Sequence, residues 1–176
     1  MTVTDDLKWN AHVNDIVLKA SKRLYLLRLL KRAGLDEKSL IQFNCVCIRP
    51  ILEYACQTFH SSLPQYLSDD IERIQKRALR IIFPDLRYNK ALESARITTL
   101  GARREELCMK LFSSIEEDSQ HKHRHLLSEP NTPCYNFRAS RKYQLPHIKT
   151  KRYLKSFIPF ARHSNVVDAC YILYLF

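Results

Sequence analysis

The sequence predicts a mainly α fold: a small helical bundle followed by an irregular basic C-terminal segment. Among its 176 residues are only two glycines, and no Asn-Gly or Asp-Gly pair is present to close a tight hairpin. Apolar residues recur at three- and four-residue spacing from Val13 to Ile115, the period of an amphipathic helix. From Glu116 to Lys155 that period gives way to His, Lys, Arg, Ser and Pro, a composition too poor in apolar groups to offset the entropy of ordering. With 45% apolar residues, the chain can bury one modest core. The expected organisation is a strand or turn over residues 1–9, a helical domain over 10–117, and a basic, partly disordered segment over 118–176.

Each element has its own signal. Between Asn10 and Ala33, Val13, Ile16, Val17, Ala20, Leu24 and Leu27 share one helical face, with Asn10 expected as N-cap and Gly34 as the C′ residue. A second helix is expected after the cap Asp36, turning Leu40, Ile41, Cys47 and Ile48 inward. Pro50, which lacks a backbone donor, should kink or split it. The continuation through Tyr54 and Phe59 reads as a mostly buried half-helix, and Ser61-Ser62-Leu63-Pro64 as the turn after it.

Ser68 is expected to cap the next helix, with Asp69, Asp70 and Glu72 in its first turn, where the macrodipole favours anions. Ile71, Ile74, Ala78, Leu79 and Ile82 form its core stripe, and Pro84 ends it. Lys90 to Ala95 suits a short helix. Thr99 should cap a last long one built on Leu100, Leu107, Leu111, Phe112 and Ile115. The terminal Tyr171–Phe176 is apolar, an aggregation liability if exposed.

The net charge of +11 creates a field that attracts polyanions without choosing among them. The polar, acidic start lacks the regions of a signal peptide, and no apolar run approaches the ~20 residues of a membrane span, so an intracellular chain without a membrane partner is expected. The six cysteines show no C-x-x-C pair, and reduced, mostly buried thiols are expected rather than a zinc site.

Candidate chemistry is accordingly sparse. Asp5-Asp6 are adjacent, so on a strand they would face opposite ways, and Asp69-Asp70 are explained by a helix start; neither reads as a metal-binding pair. His121, His123 and His125 alternate with Lys122 and Arg124, whose charges oppose a bound dication. No metal or cofactor is expected. The candidates for nucleic-acid contact are Lys19, Arg23, Arg32, Arg73, Lys76, Arg77 and Arg80, helix-borne cations suited to phosphates rather than to base edges. Arg141, Lys142, Lys151 and Arg152 join them in a stretch that also holds Tyr143 and Tyr153, a mixture suited to single strands or structured RNA. Trp9, Tyr54 and Phe59 read as core.

Two runs point to a family. Ile48-Arg49-Pro50-Ile51-Leu52-Glu53-Tyr54-Ala55, and Leu67 with Ile71 through Ile82, resemble the C-terminal part of non-LTR (LINE, jockey-like) retrotransposon reverse transcriptases, downstream of the polymerase palm. Further blocks follow in the family's order. Val3, Asp5 to Trp9, His12 and Val13 resemble the end of the strand pair beside the primer grip, and Lys22-Arg23-Leu24 with Leu27 to Gly34 the helix after it. Leu100 with Arg103 to Cys108, then Arg141-Lys142-Tyr143 with Pro146, and Thr150 to Tyr153 with Ser156 to Pro159, continue the pattern. The resemblance implies a thumb-like and connecting region that packs beside a primer–template duplex. Its implied partners are an RNA–DNA hybrid or other nucleic acid and the rest of a reverse transcriptase. The family's aromatic-Ala-Asp-Asp catalytic turn is absent, so a non-catalytic fragment is implied.

Leu7 to His12, continuing through Gly34, is also similar to the N-terminal region of AlkB homologue 8, a tRNA-modifying dioxygenase and methyltransferase. That similarity would imply 2-oxoglutarate-dependent oxidation or methyl transfer. None of the seven histidines is followed two residues later by Asp, as the iron site of that family requires, and no glycine-rich loop exists for a methyl donor. A third reading is a helical protein-interaction module whose basic faces meet an acidic partner.

Overall fold

The computed structural model describes residues 1–2, 4–5, 8–127 and 150–162, with the backbone alone for residues 151 and 152. The described residues are mainly helical and include no strand. The order is α1 (Asn10–Arg32), α2 (Glu37–Phe43), a π-helical turn (Asn44–Ile48), α3 (Arg49–Glu53), α4 (Cys56–Phe59), α5 (Gln65–Ile82), α6 (Tyr88–Ala95), α7 (Leu100–Glu117) and α8 (Lys151–Leu154).

Helix α1 buries Val13, Ile16, Ala20, Leu24 and Leu27, the expected stripe. Its start differs from expectation: Asn10 does not cap it, because the Asn10 Oδ1 accepts from the Tyr66 hydroxyl of α5 at 3.2 Å. Its end is the expected one. Gly34 has φ +82°, its N–H donates to the Lys31 carbonyl and the Leu35 N–H to that of Leu30, the paired bonds of a Schellman motif. Asp36 caps α2 as read, accepting from the Ser39 N–H at 3.2 Å.

Pro50 exerts its effect upstream of itself. The Arg49 N–H reaches back to the Asn44 carbonyl, so the chain widens by one residue per turn just before the proline and gains the slack that its ring needs. Ala55, at φ +56°, then ends α3 and separates it from α4. Phe59 is buried as expected, but Tyr54 is largely exposed, because the break at Ala55 turns it out of the apolar face.

Helix α5 begins at Gln65, after Pro64, and not at Ser68. The Ser68 hydroxyl instead accepts from Arg104 Nη2 at 2.7 Å. The acids assigned to its first turn therefore serve elsewhere. Asp69 accepts from Gln65 Nε2 at 2.9 Å, Asp70 pairs with Arg73 at 2.8 Å, and Glu72 faces the next two helices. Helix α6 ends in a second Schellman motif with Arg96 at φ +53° in the place usually taken by glycine. Thr99 caps α7 as read, accepting from the Ala102 N–H at 3.3 Å.

Helices α1 and α5 run parallel. Their starts meet at Asn10 and Tyr66, and their ends where Lys31 Nζ donates to the Ile82 carbonyl at 3.2 Å. One apolar core joins these helices to α2, α3, α4, α6 and the start of α7. A second, smaller cluster joins Phe112 and Ile115 of α7 to Leu127 and Ala161. The sequence reading assigns 118–176 to one irregular basic segment; within its described part, residues 157–162 are helical and bury Ala161 against α7. Arg141 and Lys142 lie outside the described residues.

Two half-buried polar elements border the core. Arg49 holds Glu53 at 2.7 Å, and Arg103 of α7 approaches the same carboxylate at 3.8 Å, tying α3 to α7. His60, between α4 and the Pro64 turn, sets its ring edge-on to Phe160 at 5.7 Å. Burial, reinforced by the Arg104 cation, pushes its imidazole down to about 4. Below its unfolded value of 6.5 the unfolded chain binds a proton that the native chain refuses, so stability falls as pH drops from 6.5 to 4. We expect a loss of about 1–2 kcal/mol from His60 over that window, less than the full shift would give because solvent screens the partly exposed ring. Urea midpoints at pH 7 and pH 4.5 check this: the interval between them should shrink in His60→Phe, and an unchanged interval would refute the assignment.

Candidate nucleic-acid interface

Helix α5 sorts its side chains cleanly. Leu67, Ile71, Ile74, Gln75, Ala78, Leu79 and Ile82 are buried, and Arg73, Lys76, Arg77 and Arg80 are all exposed. Their spacing of three, four and seven residues puts the four cations on one face, over about 10 Å of helix. Arg73 is partly occupied by Asp70, and Lys76 Nζ lies 5.3 Å from the centre of the Tyr88 ring, a cation–π contact. Arg77 and Arg80 have no ion pair among the described residues.

The three α1 candidates do not stay together. Lys19 and Arg23 are one turn apart on one flank, and Lys19 is already held by Asp15 at 2.7 Å, which keeps that carboxyl below its ordinary range. Arg32 lies nine residues past Arg23, about half a turn round at roughly 100° per residue, and so on the opposite flank. That opposite flank is the one beside α5. Arg28, eighteen residues or about five turns from Asn10, leaves α1 in the direction that Asn10 takes toward Tyr66. On α5, Arg73 and Arg77 follow Tyr66 by about two and three turns along the same line.

The structure therefore gathers Arg32, Arg73, Arg77 and Arg80 on the outer face shared by the two parallel helices, with Lys76 at its edge, and adds Arg28. Lys19 and Arg23 fall on the other side of α1. Sequence reasoning passed over Arg28 because its place depends on α1 and α5 being parallel neighbours, which no local pattern states. Part of the charge offsets the two helix C-termini, whose carbonyl ends lie side by side; Lys31 does this directly. Lys151 and Arg152 belong to α8, and their side chains are outside the description.

The most elaborate polar cluster is structural. The Glu72 carboxylate accepts from the Leu100 N–H at 3.0 Å, capping α7 from a neighbouring helix, and also from the Tyr88 hydroxyl. Gln75 donates to the Thr98 carbonyl at 3.0 Å and to the Tyr88 oxygen at 3.2 Å. Burial and the Glu72 bond push the Tyr88 phenol well above its ordinary range. Arg104 is completely buried beside this cluster, and its Nε and Nη1 make no hydrogen bond. Burial lowers its guanidinium's pKa, and the Glu72 charge is the largest influence opposing that. The periodic reading of α7 named Leu100, Leu107, Leu111, Phe112 and Ile115 and missed Arg104, since a cation in an apolar register is ordinarily assigned to solvent.

Cys56 and Cys108 are buried beside Arg104, and burial pushes the Cys56 thiol up to about 11 and that of Cys108 to about 12. Thiols so buried and so weakly acidic are poor nucleophiles. Among the described residues, no group of three or more His, Cys, Asp or Glu is placed to hold a metal ion, and no helix is long and apolar enough to cross a membrane. No protein-family model, curated protein or solved structure matches the chain.

Proposed function

We propose that this chain is a non-catalytic helical module of the thumb-like kind that follows the palm in non-LTR retrotransposon reverse transcriptases, and that it contacts nucleic-acid backbones without reading sequence. The observation that carries the reading is the arginine-rich face of α5 joined by Arg28 and Arg32 of α1, where Arg77 and Arg80 lack an acidic partner among the described residues. Helix-borne cations of this kind meet phosphates and position a duplex. The preferred partner is an RNA–DNA hybrid. Two of the resembling blocks also meet in space, since Arg103 of one approaches the Glu53 carboxylate of another at 3.8 Å.

A salt titration of the purified chain against a labelled RNA–DNA hybrid, a single strand and an acidic polypeptide tests the proposal. Affinity for the hybrid should fall linearly on a log–log plot, with a slope of about −0.9 for each phosphate neutralised, and exceed that for the acidic polypeptide. Equal binding to every polyanion, or no binding, would refute it.

A further inference from the structure

Helix α1 is apolar on two opposite sides, and among the described residues only one side has a partner. Its core stripe is buried, yet Leu18 is 58%, Tyr25 59% and Leu29 40% exposed on the far side, with Leu26 next to them at 38%. A helix apolar on both sides is one that is covered on both sides. The exposed series has a regular spacing. Leu18, Lys22, Tyr25, Leu29 and Arg32 follow one another at intervals of four, three, four and three, the seam by which one helix receives another.

We propose that this seam is the docking site for an acidic amphipathic helix of a partner protein. The commitment to an acidic partner rests on charge. Asp15 is the one carboxylate in α1 and is held by Lys19 at 2.7 Å, whereas Lys22 and Arg32 stand within the seam and Arg28 flanks it. A second copy of this chain would bring the same cations against its own, with no free carboxylate on α1 to receive them. An anionic lipid surface fits less well, because a helix lying on a membrane keeps its cations on the polar face, and Lys22 here interrupts the apolar series. A helix with leucines facing Leu18, Tyr25 and Leu29 and glutamates facing Lys22, Arg28 and Arg32 satisfies both features.

The test uses the full chain and a labelled peptide of about four heptads, with Leu at a and d and Glu at most other positions, beside a scrambled peptide of equal composition. The patterned peptide should bind, and the scrambled one about tenfold more weakly or worse. Leu18→Ser with Leu29→Ser should weaken the patterned peptide by at least about tenfold. The same double variant removes no cation and should leave the salt slope for nucleic acid unchanged, which distinguishes the apolar seam from the arginine face that it borders at Arg28 and Arg32. Both leucines are exposed, so the variant should fold, as circular dichroism would verify. Any of four results would overturn the proposal: equal binding of the two peptides; no loss in the double variant; a dimer that the double variant abolishes; or phosphatidylserine vesicles binding where the peptide does not.

Discussion

Replacing Glu72 with alanine should destabilise the chain by about 3–4 kcal/mol, a large share of the 5–15 kcal/mol typical of a domain. Three losses coincide. The Leu100 N–H at the start of α7 loses its acceptor, which costs about 1 kcal/mol by analogy with an N-cap. The half-buried Tyr88 hydroxyl loses its charged acceptor, for about another 1–2 kcal/mol. The fully buried Arg104 loses the largest charge that opposes its desolvation, keeping the Ser68 bond and the more distant influence of Glu53. These terms overlap, so their sum is an upper bound. Urea unfolding should show a lower midpoint at unchanged slope. The diagnostic variant is the double change Glu72→Ala with Arg104→Met. Removing both charges should recover at least about 1 kcal/mol relative to Glu72→Ala alone. A single-variant cost below about 1 kcal/mol, or no recovery in the double, would show that the cluster does not fasten α5, α6 and α7 as described.

Changing Arg73, Lys76, Arg77 and Arg80 together to alanine should flatten the salt dependence of hybrid binding by about two to four units. The range follows from how each cation is employed. Arg77 and Arg80 have no acidic partner among the described residues and should each count fully, whereas Arg73 must leave Asp70 and Lys76 must leave the Tyr88 ring. At moderate salt the affinity loss should reach about a hundredfold. The variant should fold as well as the parent, because all four side chains are exposed and alanine is the better helix former. Changing Lys19 and Arg23 instead, on the other side of α1, should have a much smaller effect. An unchanged slope in the quadruple variant, or equal loss in the Lys19/Arg23 pair, would remove the interface from this face.

The helices themselves were legible in the sequence because their signals are local. The stripes of α1 and α5, the Gly34 stop, the caps Asp36 and Thr99 and the disruption at Pro50 all follow from spacing and backbone chemistry within a few residues. Where local reading failed, a distant partner had claimed the side chain. Asn10 and Ser68 are sound cap residues by type, but Tyr66 and Arg104 bind them from other helices. Glu72 is a sound first-turn acid by type, but it caps α7 instead of its own helix.

The sequence by itself determined that this chain is helical and basic, where the apolar stripes of α1 and α5 lie, and that α5 presents four cations in a row, because periodicity and net charge are properties of the chain in order. Only the tertiary structure decided which cations share a surface. The parallel docking of α1 against α5 brought Arg28 and Arg32 to that row and sent Lys19 and Arg23 away from it, since the direction in which a helix turns its flanks is set by the neighbour against which its apolar stripe is buried. The same docking covers one apolar side of α1 and leaves the other, with Leu18, Tyr25 and Leu29, without a partner among the described residues.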